Sequence, residues 1–472
     1  MPSTTTASSA APDHGRRKGR AAIILAAGQG TRMKSATPKV LHKVAGRTML
    51  DWSIDACAAL GCDRVVVVVG AHAPAVGEAA QARAGVRIAV QDPALGTAHA
   101  VRAAEAALAD FDGDVIVTYA DTPLVRGATL EKLFAVRASG AAVAVLGFEA
   151  KDPFGYGRLI RDAAGALLRI VEEKDASAEE RAVTLCNSGV LVADRAMLFQ
   201  LLSMVRNDNA KGEYYLTDVV GLARSSGFRA AIEVADEAEM MGVNSRVDLA
   251  AAEAAWQARR RVEAMASGVT MIDPSTVYLS HDTVLGADVT IEPGVFFGPG
   301  VTVAAGATVK AWSHLEGAHV GEGAAVGPFV RLRPGAHLGA RVKIGNFVEV
   351  KNASFAEAAQ ASHLAYIGDA EVGARANIGC GAITCNYDGF DKWKTVIGED
   401  AFIGSDTALV APVRVGARAF TASGSVITKD VPDDALAVAR GRQREIEGWA
   451  VTFRTRKLAE RAARGGKRRE VE

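Results

Sequence analysis

The 472-residue sequence is poor in several features that would assign it to a class at once. It has no net charge: 54 Lys and Arg balance 54 Asp and Glu, so nothing calls for nucleic acid or a membrane surface as a general partner. No apolar run approaches the roughly 18 residues of a membrane span. The densest, Val65–Val69, is stopped by Gly70. The five cysteines lack zinc-ligand spacing, because Cys57/Cys62 and Cys380/Cys385 are each five apart. They read as buried free thiols of a reducing, cytoplasmic protein. Aromatics are only 6% while glycines number 48, which favours tight turns and close backbone approach. Residues 1–20 lack the apolar core of a signal peptide and read as a disordered tail.

What is present divides the chain. The length predicts two or three domains. Short apolar strands at Ala21–Ala26, Arg64–Val69, Arg87–Gln91 and Asp114–Thr118 alternate with helical spacers, including Leu50–Leu60 and Ala98–Leu108. That alternation predicts parallel βαβ units over 21–246, with ligands at the carboxyl ends of the strands. The Ala-, Glu- and Arg-rich stretch 247–267 predicts a long connecting helix.

Beyond Met271 a period of six takes over. Leu285, Ile291, Phe297, Val303, Val309 and Leu315 are followed, after a one-residue reset, by Val320, Val326, Leu332, Leu338, Ile344 and Val350. The period returns at Val372, Ile378 and Thr384, and again from Ile397 to Ile427. Neither a 3.6-residue helix nor an alternating strand fits, so 268–439 reads as a β-solenoid whose aliphatic residues point inward. Two segments, 352–366 and 386–394, break the period and read as surface loops that carry a site. From Arg440 to Glu472 the sequence is a basic tail.

The chemistry starts at Leu25-Ala26-Ala27-Gly28-Gln29-Gly30-Thr31-Arg32-Met33. This Gly-rich turn after a strand is neither a P-loop nor a dinucleotide fingerprint, but its amides suit anionic oxygens. Arg32 and Lys39 add cations, and Asp121, at a strand's carboxyl end, supplies a carboxylate for Mg²⁺. Asn244 is a further oxygen donor. Together these are the parts of nucleotidyl transfer.

The run L-A-A-G-x-G-T-R-M…P-K resembles the signature of sugar-phosphate nucleotidyltransferases. With Gln91…Leu95-Gly96-Thr97, Gly155-Tyr156-Gly157-Arg158, Val171-Glu172-Glu173-Lys174, Asn187-Ser188-Gly189 and Gly242-Val243-Asn244, the chain resembles the bifunctional N-acetylglucosamine-1-phosphate uridyltransferase/glucosamine-1-phosphate N-acetyltransferase family. The resemblance implies an α/β, Rossmann-like nucleotidyltransferase domain with a mixed sheet, a long connecting helix, and a left-handed parallel β-helix of hexapeptide repeats. It implies that Leu25, Ala26, Ala27, Gly28, Gln91, Gly96, Thr97 and Tyr119 hold the nucleotide, and Gly157, Glu172 and Asn187 the sugar. Arg32 and Lys39 would act on the phosphates, and Asp121 and Asn244 would bind Mg²⁺. Gln29 stands where the family frequently has Lys, and Ala120 where it frequently has Gly.

In the second half, His363 is a candidate general base for acyl transfer to an amine. Arg333 and Lys351 offer cations for a phosphate, and Glu349 is placed by sequence to polarise the imidazole. Arg331-Leu332-Arg333-Pro334-Gly335, Glu349-Val350-Lys351-Asn352, Ser362-His363-Leu364-Ala365-Tyr366 and Thr384-Cys385-Asn386-Tyr387-Asp388-Gly389 match the same family. The resemblance implies His363 as base, and Arg333, Lys351, Tyr366, Asn377 and also Lys392 as glucosamine-1-phosphate binders. Cys380, Asn386, Tyr387, Ser405, Ser423 and Arg440 would line an acetyl-coenzyme A groove, with Cys380 and Ser423 replacing the family's Ala. The co-substrates are then UTP and acetyl-coenzyme A, and the assembly a homotrimer. Two other readings stand beside this one: a single-activity nucleotidyltransferase with a regulatory β-helix, and a non-catalytic scaffold. His363 with its cations argues against the first, and Asp121 with Lys39 against the second.

Overall fold

The computed structural model describes residues 19–463, which form two compact units. The first takes in the chain up to Gly268 together with Asp273–Thr283 and Phe297–Gly300. It is built on strands β1 (Gly19–Ala26), β2 (Arg64–Gly70), β3 (Val86–Gln91), β4 (Gly113–Tyr119), β5 (Val143–Glu149), β6 (Arg158–Arg161), β7 (Leu167–Val171), β8 (Leu185–Asp194) and β9 (Ala230–Ala235). Their order in the sheet is β9-β5-β8-β4-β1-β2-β3, with the β6–β7 hairpin attached to β8. β1 runs parallel to β2 and β4, whereas β8 is antiparallel to β4 and β5. The sheet is therefore mixed, where strand–helix alternation alone pointed to parallel units.

Alternation along β1 shows why its sequence is apolar throughout. Ala21, Ile23 and Leu25 enter one core, and Ala22, Ile24 and Ala26 enter another on the opposite face of the sheet. A strand buried on both faces has no place for a polar residue. Gly19 and Arg20, assigned to the tail by sequence, belong to β1. The Arg20 guanidinium donates to Glu131 at 2.8 Å. The rest of that tail lies outside the described residues, as do residues 464–472 of the basic tail.

The helices relevant here are α1 (Met49–Ala59), α2 (Thr97–Ala103), α3 (Gly127–Ala138), α4 (Asp218–Ser225) and α5 (Arg246–Ala266). α5 starts at a Ser245/Asp248 capping box, which satisfies donors at both ends of its first turn. Read from sequence as a connector, it is packed into the first unit. Trp256 is buried against Trp52 at 6.0 Å between ring centroids. The buried Gln257 amide bonds both backbone groups of Leu279, donating at 2.7 Å and accepting at 2.9 Å. Residues 273–283 thus fold with the first unit, although the solenoid domain was read as starting at 268.

The second unit is a parallel β-helix. One face is a ladder of ten short strands, from Thr270–Met271 to Leu436–Ala437, and the other two faces join through the long strands Glu349–Phe355 and Tyr366–Val372. Every inward position from Ile291 to Ile427 named above is buried, and only Leu285, at the first coil, is partly exposed.

Segment 352–366 is not a loop. Phe355, Ala361 and Ile367 continue the buried column at 2%, 0% and 1% exposure. Gln360–Ala361 pairs in register with Lys343–Ile344 below and with Asn377–Ile378 above. The sequence period was lost because two steps, Val350 to Phe355 and Ile367 to Val372, are five residues long, and Ala361 is small. Asn352, Leu364 and Asp369 turn the corners with φ near 45–48°. Segment 386–394 does leave the coil, as a hairpin in which Tyr387 bridges Lys392. In the basic tail, α6 (Trp449–Ala463) has no buried residue.

Candidate active sites

In the first unit a cavity of about 310 Å³ opens at the carboxyl ends of β1, β3 and β4. Leu25, Ala26, Ala27, Gly28, Lys39, Gln91, Gly96, Thr97, Tyr119 and Asp121 line it, so ten predicted residues converge. Gln29, the departure from family, joins the same wall. Ala120, the other departure, is fully buried, and its N–H donates to the Leu25 carbonyl at 3.0 Å.

Local backbone chemistry places the cation. Gly30 has φ 63°, and a Cβ there would lie 2.6 Å from the Cβ of Lys39. Only glycine lets the loop turn and Lys39 approach. The Lys39 ammonium donates to Asp121 and, at 3.1 Å, to the Asn244 side-chain oxygen. The Val243 N–H binds the Asp121 carbonyl at 2.8 Å and fixes this segment to the end of β4. Gln91 donates to the Gly96 carbonyl at 2.9 Å, and Thr97 Oγ1 accepts from Leu216 N–H at 2.9 Å. Arg32 does not join this wall; it is exposed on a short 3₁₀ turn, Thr31–Met33.

Gly157, Glu172 and Asn187 meet at the root of the β6–β7 hairpin. Asn187 N–H donates to the Gly157 carbonyl at 2.8 Å. Glu172 accepts from Thr217 Oγ1 at 3.1 Å, and burial pushes its carboxyl above the usual range. The Asn187 side-chain oxygen caps its own turn through Gly189 N–H at 3.0 Å, which leaves the amide nitrogen for other partners. Burial first, then the Glu172 and Asp175 charges, raise Asp218 to about 6.

Sequence reasoning passed over the strap 213–217. Glu213 lines the cavity, the Tyr214 backbone pairs with Leu95 and Ala98, and Thr217 holds Glu172. The signal was a dense polar and aromatic stretch, Gly212-Glu213-Tyr214-Tyr215-Leu216-Thr217-Asp218, between two helices.

In the second unit, coil register stacks the predicted groups. Glu349 lies beside Tyr366, and Lys351 beside Gly368. Gly368 is side-chain-free of necessity, since a Cβ there would lie 2.4 Å from the Tyr366 hydroxyl and 2.9 Å from Asn386 Nδ2. Asn386 is buried and donates to Asp369, which also accepts from Asn352 at 2.6 Å. Lys392, on the hairpin, stands beside Lys351 and, with Arg333, holds that ammonium below its ordinary value. Arg333, Lys351 and Lys392 thus form one cationic cluster.

Glu349 makes no hydrogen bond to His363. Its carboxylate accepts from Arg333 at 2.8 Å. His363 Nδ1 instead faces Asn346 Oδ1 at 2.8 Å, its in-register neighbour one coil below. Asn346 was missed because the pairing depends on coil length. His363 lies on a coil strand, not on an insertion.

A cavity of about 380 Å³ lies between the hairpin and the coil, with Lys392, Asn352 and Asp369 in its wall; His363, Tyr366 and Asn377 are not in that wall. Asn377 sits on the ten-strand ladder, between Gln360 and Phe402. Along one corner, the Cys380 carbonyl accepts from Asp406 N–H at 2.7 Å and the Ser405 carbonyl from Gly424 N–H at 2.8 Å. The Ser423 carbonyl accepts from Arg440 at 2.7 Å. Cys380 and Ser423 engage these partners through backbone, so their side chains are not what holds the corner. Tyr387 is exposed, with its hydroxyl on the Gly389 carbonyl at 2.6 Å. The Asp391 N–H first, then the Trp393 indole and the Phe390 N–H, hold Asp388 down to about 2.

Residues 22–184 match the MobA-like NTP transferase domain, and residues 317–352 the bacterial transferase hexapeptide of six repeats. The bifunctional protein GlmU of Maricaulis maris is 63% identical over 445 residues, 94% of this chain and 98% of that protein. Those of Caulobacter vibrioides and Paramagnetospirillum magneticum are 59% and 54% identical, each over 94% of this chain and over 96% and 98% of their own length. The chain belongs to the GlmU family. It is a bifunctional enzyme, with a uridyltransferase half and an acetyltransferase half whose coil is the left-handed hexapeptide β-helix. GlmU relatives match both halves at once, which removes the single-activity and scaffold readings. Among the described residues no helix is long and apolar enough to cross a membrane.

Proposed function

We propose that the second unit acetylates glucosamine-1-phosphate with acetyl-coenzyme A, and that the first joins the resulting N-acetylglucosamine-1-phosphate to UMP from UTP. The convergence of Asp121, Asn244 and Lys39 on one point carries the second half of this reading. An ammonium already lies where both oxygens point, so the pair fits a divalent cation such as Mg²⁺, which when bound would neutralise charge on the triphosphate. Lys39 supplies a fixed charge beside the α-phosphate. The sugar phosphate oxygen attacks the α-phosphorus in line, and the bond to pyrophosphate breaks. Gly157, Glu172 and Asn187 orient the sugar, while the Leu25–Gly28 backbone, Gln91 and Thr97 hold the nucleoside. Arg32 acts on the outer phosphates from the exposed turn.

In the second unit, the Asn346 oxygen favours the His363 tautomer protonated at Nδ1, which leaves Nε2 to accept a proton. The substrate amine attacks the thioester carbonyl, its proton passes to Nε2, and the C–S bond breaks to release the coenzyme A thiolate. Arg333, Lys351 and Lys392 receive the sugar phosphate. Asn377, Tyr366, Cys380, Asn386, Tyr387, Ser405, Ser423 and Arg440 complete the sugar and coenzyme A sites. Because one chain distributes these residues over separate faces, a homotrimer with sites between neighbours accommodates them. The enzyme works in the cytoplasm, a reducing compartment that suits its five free cysteines.

Incubation of the purified chain with glucosamine-1-phosphate, acetyl-coenzyme A, UTP and Mg²⁺ tests the proposal. UDP-N-acetylglucosamine, free thiol and pyrophosphate are expected by mass spectrometry. Thiol release without UDP-sugar removes the uridylyl half of the proposal, and absence of thiol removes the acetyl half.

A further inference from the structure

Another cavity in the first unit, of about 600 Å³, belongs to neither site described above. It opens at the tip of the β6–β7 hairpin, beside the edge strand β9 and the C-terminal end of α4. Three arginines line it, Arg161, Arg224 and Arg229, and its lining contains no carboxylate.

The charges of these arginines are poorly answered. Arg161 forms no ion pair or side-chain hydrogen bond with another described residue, and Arg229 donates only to the Ser139 carbonyl, at 3.1 Å. Arg224 reaches Asp162 Oδ2 only at 4.0 Å, and its Nε is buried without a hydrogen-bond partner. Asp162 is committed elsewhere: its other oxygen accepts from Ala164 and Ala166 N–H, at 3.0 and 2.9 Å, and so builds the hairpin turn. A buried guanidinium nitrogen without a partner costs free energy, and three like charges in one concavity repel. An oxyanion relieves both, because guanidinium groups bind phosphate oxygens through paired N–H donors.

We infer that this cavity is a peripheral binding site for a small polyphosphate anion, separate from the nucleotide-binding cavity. Three cations match an ion of three or four negative charges better than a single phosphate, and the volume admits more than one phosphoryl group. The same hairpin carries Gly157 and Glu172 at its root, so the anion would sit on the element that shapes the sugar-binding wall.

Isothermal titration of the full-length chain with inorganic pyrophosphate, without divalent metal, tests the inference. Arg161→Ala/Arg229→Ala is expected to lose one bound equivalent per chain, or to weaken that step at least about tenfold. Arg161→Lys/Arg229→Lys should retain part of it. Arg206→Ala, an exposed arginine outside the cavity, should leave the isotherm unchanged. Identical isotherms for the wild type and the double alanine variant would overturn the inference, as would an equal loss in Arg206→Ala, which marks diffuse charge only. If the double variant does not fold, Arg161→Glu alone carries the same expectation, because Arg161 is exposed.

Discussion

The Lys39 ammonium donates a 3.1 Å hydrogen bond to the side-chain oxygen of Asn244, a residue 205 positions away. The same ammonium binds Asp121, so three segments of chain meet at one atom. Asp121→Ala should abolish uridylyl transfer and leave acetyl transfer intact. Lys39→Ala should lower uridylyl kcat/KM by roughly 10²–10³, the usual loss for a preorganised group at a developing charge. Chelation of divalent metal should stop uridylyl transfer alone. Separate assays of pyrophosphate and thiol release distinguish the outcomes.

For the acetyltransferase half, Asn346 and Glu349 separate two ways of supporting His363. Asn346→Ala should reduce acetyl-transfer kcat by about tenfold with little change in KM, because the base loses its fixed tautomer. Glu349→Ala should raise KM for the sugar phosphate instead, because Arg333 loses its 2.8 Å partner. Steady-state kinetics on both variants decides whether Glu349 acts through Arg333 or through the imidazole. His363→Ala should abolish acetylation while uridylyl transfer survives.

Arg440 reads the Ser423 backbone, not its side chain. Ser423→Ala should leave KM for acetyl-coenzyme A within about twofold, consistent with the near-neutral effect of most surface substitutions. Arg440→Ala should raise it several-fold. A large effect of Ser423→Ala would place the hydroxyl in the groove.

Phe355 tests the continuity of the coil. A residue in a protruding loop tolerates truncation, whereas this ring is 2% exposed in the buried column. Phe355→Ala should destabilise the second unit by about 3–5 kcal/mol. The urea midpoint of its unfolding transition is the measurement.

Asp218 gives a pH dependence of known sign. Its folded carboxyl titrates near 6, above the ordinary 3.8, because burial and the neighbouring Glu172 and Asp175 disfavour its charge. The stability that this group contributes is fully present below about pH 3.8 and is lost as pH rises through about 6. Asp218→Asn should therefore stabilise the first unit at pH 7.5, by no more than about 1 kcal/mol because the group retains substantial solvent. The gain should vanish towards pH 4. Thermal melts at the two values read the difference.

Much of this molecule was legible in one dimension. The Gly-rich turn and Asp121 could be assigned from residue type because they follow the ends of β1 and β4, whereas Lys39, on a short turn at Lys39–Leu41, was marked by its Pro38-Lys39 motif. The solenoid was legible because one aliphatic residue recurs per short side. Where that regularity weakened, at Phe355 and Ala361, a coil was read as a loop. Residues 213–217 were passed over because no periodicity marks a strap held partly through the Tyr214 backbone and partly through the Thr217 hydroxyl.

The sequence by itself determined that a nucleotide-binding α/β half is followed by a hexapeptide solenoid, since periodicity and strand-end motifs are local properties. Only the tertiary structure decided which distant groups share a partner. It gave His363 to Asn346, Glu349 to Arg333 and Gln257 to Leu279, and it packed α5 into the first unit. Such pairings depend on coil length and strand register, where one residue more or less moves every side chain to a new neighbour.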